Sequence, residues 1–323
     1  MKLDLSRILK GVVLSLVFLV ILVSAVLGVN EFIFNKTLQN VEPNFLPAGI
    51  SAVAINENTE KQDEGLVQQD AQLAISQLLE AQLDPSKIYA KSAIAVGANL
   101  KDNKIILYEK NINEKLPIAS LTKLMTAVVV LENYDLLENI TVSKKADSQD
   151  AVKTDLKEGD SFSVIDLIYI MLIRSSNKAA FALAEQKGEQ NFIDLMNQKS
   201  AEIGLVSTVF KDPTGLSEEN VSTANDFAKF AEYVLKKYPQ IFDITKTKEF
   251  VLPNLGRITN TDELLGEIPE IVGGKTGYTL EAKGCLLLIT KNSHAQGYLI
   301  YVILGSDDRF LEMRKLINLE LGE

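Results

Sequence analysis

The sequence predicts an α+β fold, a layer of strands into which a block of helices is inserted. Three observations predict it. Strand-like runs cluster early, at Ser92–Gly97 and Lys104–Tyr108, and again late, at Gly284–Thr290 and Tyr298–Leu304. Between the two groups lie helix-like apolar segments with recognisable starts and stops. A further helix-like stretch, Asp308–Leu321, closes the chain. Helices segregated between an early and a late group of strands define this layered class.

Taken in order, residues 1–10 carry Lys2, Arg7 and Lys10 against a single acid, Asp4, and residues 11–30 hold no charge. Twenty uncharged residues suffice to span a bilayer. The basic flank places the N-terminus in the cytoplasm and the rest outside, as a single-pass cell-membrane protein. Val23-Ser24-Ala25 offers a signal-peptidase site, but the apolar character continues through Val26–Val29, which favours an uncleaved anchor. Residues 31–86 read as a stalk. Glu57–Asp70 is acidic and Gln-rich, and Leu66, Ala71, Ile75, Leu78, Leu79 and Leu83 make a loosely amphipathic helix. No heptad is sustained, so a solvated spacer is favoured over a coiled coil.

The globular domain occupies residues 87–323. Its first two strands pair around the polar turn Lys101-Asp102-Asn103. A helix begins near Ser120, just after Pro117, and runs to about Leu131. Ser163 and Asp166 resemble a capping box, with Asp as the acid, for an apolar helix ending at Ile173. Further helices are expected at Lys178–Glu185, at Phe192–Ile203 with Gly204 as the stop, and at Ala224–Lys237 with Thr223 as the cap.

Composition narrows the function. The 323 residues are 46% hydrophobic and carry a net charge of −10, so a basic nucleic-acid-binding surface is not expected. One cysteine excludes an intrachain disulfide. Cys285 sits in the apolar run Cys285–Ile289, as a core thiol does. With one histidine and one cysteine, neither a metal site nor a cofactor is expected. His294 lies in the turn-like stretch Lys291–Gly297. A Ser-His-Asp triad would have to use it, so a serine hydrolase built on this chain needs another base.

That base is offered by Ser120-x-x-Lys123. Three residues apart on a helix, hydroxyl and amine share one face. A serine hydroxyl needs a neighbouring base, and a desolvated lysine favours its neutral form. Alone, the pair also describes a capping serine and a solvated lysine. Two further stretches follow in order: Ser175-Ser176-Asn177 after an apolar segment, and Lys275-Thr276-Gly277 after Gly273-Gly274. Singly these are a helix cap and a strand end. Together they are the ordered trio of serine β-lactamases and penicillin-binding proteins, with Ser-Ser-Asn in the middle position.

On these motifs, and on Tyr108–Asn111, Asp212-Pro213-Thr214-Gly215-Leu216 and Gly274–Thr279, residues 87–323 resemble the D-alanyl-D-alanine carboxypeptidase family of low-molecular-mass penicillin-binding proteins. The resemblance implies a β-lactamase/transpeptidase-like domain: an antiparallel sheet flanked by helices, with an inserted all-helical subdomain. It implies removal of the terminal D-alanine of peptidoglycan stem peptides through an acyl-enzyme, and covalent binding of β-lactams such as penicillin. By the same resemblance Ser120 is the nucleophile, Lys123 its base and Ser175 a proton relay to the leaving amine. Asn177 bonds Lys123 or the substrate amide, and Lys275 and Thr276 hold the terminal carboxylate. Gly277 leaves room for substrate, and the backbone N–H groups of Ser120 and Tyr278 form the oxyanion hole. Many relatives carry a second β-rich domain and a C-terminal membrane helix; this sequence is expected to have neither, with the N-terminal segment as anchor.

The sequence departs from the family in placing Lys178, a cation, where an acid often follows the Asn. Pointing inward, Lys178 would depress the lysine pKa values; otherwise it faces solvent. Arg309 reads as a solvated helix-start arginine. The rivals are a D,D-endopeptidase, a β-lactamase of the same fold, and a non-catalytic, membrane-tethered wall-binding module. Glu218 and Glu219 stand near where a lactamase needs its glutamate, in a carboxypeptidase-like context. The anchor reading predicts that the mature protein retains residues 11–30; N-terminal sequencing that begins at Val26 contradicts it.

Overall fold

The chain divides into two units, Met1–Leu78 and Leu79–Glu323. The computed structural model describes residues 87–98, 104–149, 156–292 and 297–321, all in the second unit. The expected anchor, the stalk, the Lys101–Asn103 turn and His294 lie outside the described residues. No helix among the described residues is long and apolar enough to cross a membrane.

Strands β1 (Ser92–Ala98) and β2 (Lys104–Lys110) open the domain. A short β3 (Leu116–Pro117) leads into a 3₁₀ turn at Ala119–Thr122 and helix α1 (Lys123–Asn133). Next come β4 (Asn139–Thr141), α2 (Lys144–Asp147), β5 (Ser161–Ser163), α3 (Val164–Ile173), α4 (Asn177–Glu185) and α5 (Glu189–Ile203). They are followed by β6 (Val221–Ser222), α6 (Ala224–Lys237), α7 (Pro239–Thr245), β7 (Glu249–Leu252) and β8 (Gly256–Thr259). Strands β9 (Ile271–Thr279), β10 (Lys283–Lys291) and β11 (Tyr298–Ser306) return to the sheet before α8 (Arg309–Leu321).

The main sheet runs β2-β1-β11-β10-β9, and every neighbouring pair is antiparallel. Side chains alternate between its faces. Ile94 and Val96, Cys285, Leu287 and Ile289, and Ile300, Val302 and Leu304 enter the core shared with the inserted helices. Ala93 and Ala95, Leu286 and Leu288, and Tyr301 and Ile303 pack instead with Phe310, Met313, Leu316 and Ile317 of α8. A sheet covered on both faces needs apolar side chains at consecutive positions, hence the unbroken run Cys285–Ile289. Cys285 is fully buried, and burial pushes its thiol up to about 11.

Local chemistry sets the helix boundaries. Thr223 Oγ1 accepts from Asp226 N at 3.0 Å and caps α6, and Gly204 ends α5 in the left-handed region, φ 77°. The expected capping box at Ser163 is half realised. Ser163 Oγ accepts from Asp166 N, but it also donates to the Asp166 carboxylate at 2.7 Å, because an aspartate is one carbon too short to bond back comfortably to the cap N–H. The sequence reading missed the helices α2 and α7 and the short strands β3 to β8. Each is seven residues or fewer per segment, too short for a periodicity to declare itself.

Candidate active site

The helix expected to begin near Ser120 begins instead at Lys123; Ser120 lies on the 3₁₀ turn just before it. The residue before it, Ala119, sits at φ 47°, a strained conformation for a residue with a side chain. Against this turn runs β9. A Cβ on Gly277 would lie 3.0 Å from both Ser120 N and Ile118 O, so only glycine lets the strand approach this closely.

Lys123 is fully buried. Its Nζ contacts Ser120 Oγ at 2.8 Å, Asn177 Oδ1 at 2.7 Å and the Thr214 carbonyl at 2.5 Å. Burying a lone ammonium is prohibitive unless oxygens replace its water. The three oxygens suit both protonation states. An ammonium donates to each of them; a neutral amine donates to Asn177 and Thr214 and accepts the Ser120 proton. A proton can therefore pass between Ser120 and Lys123 without moving a heavy atom.

Asn177 opens α4, where Ser176 Oγ caps the helix by accepting from Ala179 N at 3.2 Å. Ser175 sits at φ 58°, the second strained residue of the site. Its hydroxyl accepts from Lys275 Nζ at 2.9 Å, and the same ammonium donates to the Thr276 carbonyl at 3.0 Å. Lys275 and Thr276 are nearly inaccessible, whereas the Tyr278 side chain stands 56% exposed. Thr276 Oγ1 meets Thr261 Oγ1 at 2.5 Å. The structure thus gathers Ser120, Lys123, Ser175, Asn177, Lys275, Thr276 and Gly277 at one sheet edge.

A loop that the sequence reading quoted without assigning a role completes the set. Asp212 Oδ1 accepts from Thr214 N, Thr214 Oγ1 and Gly215 N, and Oδ2 accepts from Ser217 N. These bonds fold Asp212–Ser217 into a tight turn that presents the Thr214 carbonyl to Lys123. Gly215 adopts φ 86°, and a Cβ there would fall 2.0 Å from Ala119 O. The buried Asn220 joins the loop to the nucleophile turn by donating to Thr122 Oγ1 and the Asp212 carbonyl.

Three charged residues behave differently from expectation or were missed. Lys178 is buried and pairs with Asp147 at 2.6 Å; it neither faces solvent nor joins the two motif lysines. Arg309 is not a solvated helix start. Its guanidinium lies partly buried behind β9, donates to the Gly277 carbonyl at 3.5 Å, and keeps a buried Nε with no partner among the described residues. Burial holds its pKa below the usual arginine range. Asp262 is buried beside them, and burial pushes its carboxyl up to about 6 although Leu264 N, Lys275 and Arg309 pull the other way. No cluster of three or more metal-ligating side chains occurs among the described residues.

A strand edge carrying Lys-Thr-Gly thus lies against a Ser-x-x-Lys turn, with Ser-x-Asn opposite. Residues 79–308 match the D-alanyl-D-alanine carboxypeptidase family, Peptidase S11, and the chain belongs to that family. It is 34% identical over 249 residues to the D-alanyl-D-alanine carboxypeptidase DacF of Bacillus subtilis, covering 72% of this chain but only 62% of that protein, less than two thirds of its length. It is 36% identical over 232 residues to a D-alanyl-D-alanine endopeptidase of Pseudomonas aeruginosa, 68% of this chain and 74% of that one. Among solved structures, penicillin-binding protein D2 of Listeria monocytogenes in its cefotaxime-bound form is similar, with TM-score 0.65, 27% identity, and coverage of 73% of this chain and 98% of that one.

The Asp262 carboxyl gives a pH signature. Its folded pKa lies above its unfolded value of 3.8. Between about pH 4 and 6 the folded protein keeps a proton that the unfolded chain releases, so stability falls as pH rises through that window. The full penalty, about 2–3 kcal/mol, is present above it. Asp262→Asn removes the penalty while keeping an acceptor for Leu264 N. Thermal melts are expected to show the variant gaining several degrees over wild type at pH 8 and little at pH 4; the same difference at both pH values contradicts this.

Proposed function

We propose that this protein is a serine-type D-Ala-D-Ala carboxypeptidase that trims the terminal D-alanine from peptidoglycan stem peptides and is acylated by β-lactams. The observation that carries the reading is the buried Lys123 amino group held between the Ser120 hydroxyl and the Asn177 side chain. In this reading Lys123, as the neutral amine, takes the Ser120 proton while Ser120 Oγ attacks the penultimate D-Ala carbonyl carbon. The oxyanion is received by the backbone N–H groups of Ser120 and Tyr278. The C–N bond breaks, Ser175 passes a proton to the departing amine, and water later releases the acyl group from Ser120. Lys275 and Thr276 bind the terminal carboxylate, a cation beside a hydroxyl. Arg309, behind Gly277, adds a second positive charge at that end of the cleft. The substrate lies along β9, where Gly277 leaves space.

The same reading places the protein in the cell membrane through residues 11–30, with the catalytic domain on the extracytoplasmic side above a stalk of residues 31–86. That siting matches a substrate found in the wall. A D,D-endopeptidase is the second reading, favoured by the 36% identity to the Pseudomonas endopeptidase. Product analysis with a pentapeptide and a crosslinked muropeptide separates the two: released D-alanine supports the carboxypeptidase, split crosslinks the endopeptidase.

The carboxylate clamp has its own test. An amidated D-Ala-D-Ala peptide already lacks the contact with Lys275. Lys275→Ala is expected to lower kcat/KM for the free-acid peptide by about 10- to 150-fold, the worth of one charge-assisted hydrogen bond, and to lower it far less for the amide. Equal losses for both peptides remove the carboxylate role.

A further inference from the structure

We propose that the Lys178–Asp147 ion pair is the tether that sets the Ser175–Asn177 wall of the cleft, making Lys178 and Asp147 positioning residues for acylation of Ser120. The inference rests on the proposed reading of the site and deepens it.

Lys178 directly follows Asn177, and its side chain is only 6% exposed. Its Nζ donates to Asp147 Oδ1 at 2.6 Å and to the Leu156 carbonyl at 2.9 Å. An ammonium so deeply buried cannot exchange those oxygens for water, so the first turn of α4 is fastened to them. Asp147 Oδ2 accepts from Glu158 N at 3.2 Å. One carboxylate therefore joins the end of α2, the backbone near Glu158 and the start of α4. The Lys178 hydrogen bond, followed by that of Glu158 N, holds the Asp147 carboxyl below its usual range.

Position matters at this turn. Asn177 Oδ1 must stay within hydrogen-bond reach of Lys123, and Ser175 must stay at a strained φ of 58°. The Ser176 cap fixes the helix start only to its own third residue. The apolar stretch of α4, from Ala179 to Ala184, is buried and seats the helix in the core, but it lies C-terminal to Asn177. The ion pair is directional and acts one residue from Asn177.

The test uses the full-length protein, a fluorescent penicillin and stopped-flow acylation, with melting curves for each variant. Lys178→Met and Asp147→Asn are expected to slow the acylation rate constant by about 10- to 100-fold, as a displacement of about 1 Å at a reacting site does, while the preceding penicillin dissociation constant stays within about twofold. Lys178→Arg, which can still donate to both the Asp147 carboxylate and the Leu156 carbonyl, is expected to recover most of the rate. If Lys178→Met does not fold, Asp147→Asn at the more exposed partner carries the comparison. Unchanged acylation in Lys178→Met and Asp147→Asn, equal losses in rate and binding, or no recovery in Lys178→Arg overturns the tether. A wild-type protein that takes no penicillin overturns the reading of the site and the tether with it.

Discussion

The burial of one amino group, that of Lys123, is the constraint on which the rest of the domain depends. A fully buried amino group is tolerated only where oxygens replace its hydration, and leaving one such polar group unsatisfied costs about 1–3 kcal/mol. Its oxygens come from three places: Ser120 on the same turn, Asn177 at the start of α4, and the Thr214 carbonyl in the loop before β6. No local segment can supply all three. The inserted helices bring Asn177 up from one side, and the β3–β6 pairing brings the 212–220 loop up from the other. The fold is in this sense built around a buried lysine that needs its partners from afar.

The sheet supplies the second half of the cleft. The β9–β10 register sets Lys275 opposite Leu287 and Gly277 opposite Cys285, so the apolar β10 holds β9 in place while the outer edge of β9 faces the nucleophile turn. Lys275 then reaches Ser175 across the cleft. Two lysines are thus held in one cleft with different partners: Lys123 contacts Ser120, and Lys275 contacts Ser175, with Arg309 reaching the Gly277 carbonyl. The buried Asp262 beside Lys275 and Arg309 tempers that positive charge.

The residues of the candidate site were legible in the sequence because the motifs place particular side chains at particular spacings. Ser120, Lys123, Ser175, Asn177, Lys275, Thr276 and Gly277 all meet as expected, and the α+β architecture follows from the placing of strand and helix patterns. What stayed hidden has a common cause. The Thr214 carbonyl is a main-chain atom, and no residue type announces it; the quoted Asp212–Leu216 stretch was its only trace. Asp147 is 31 positions from Lys178, so nothing local marks them as a pair. Arg309 looks like any helix-start arginine until the sheet carries β9 past it. Ser120 falls on a 3₁₀ turn rather than an α-helix, a distinction of one hydrogen-bond step that composition does not encode.

The central claim is that Lys123 activates Ser120. Mass spectrometry of tryptic peptides after incubation with benzylpenicillin tests it most directly, on wild type and on Lys123→Met, which keeps a long apolar side chain in the buried slot. The account predicts a penicilloyl adduct on Ser120 in the wild type and none on the folded variant over the same interval. An adduct on another residue, or equal modification of Ser120 in both proteins, would contradict it.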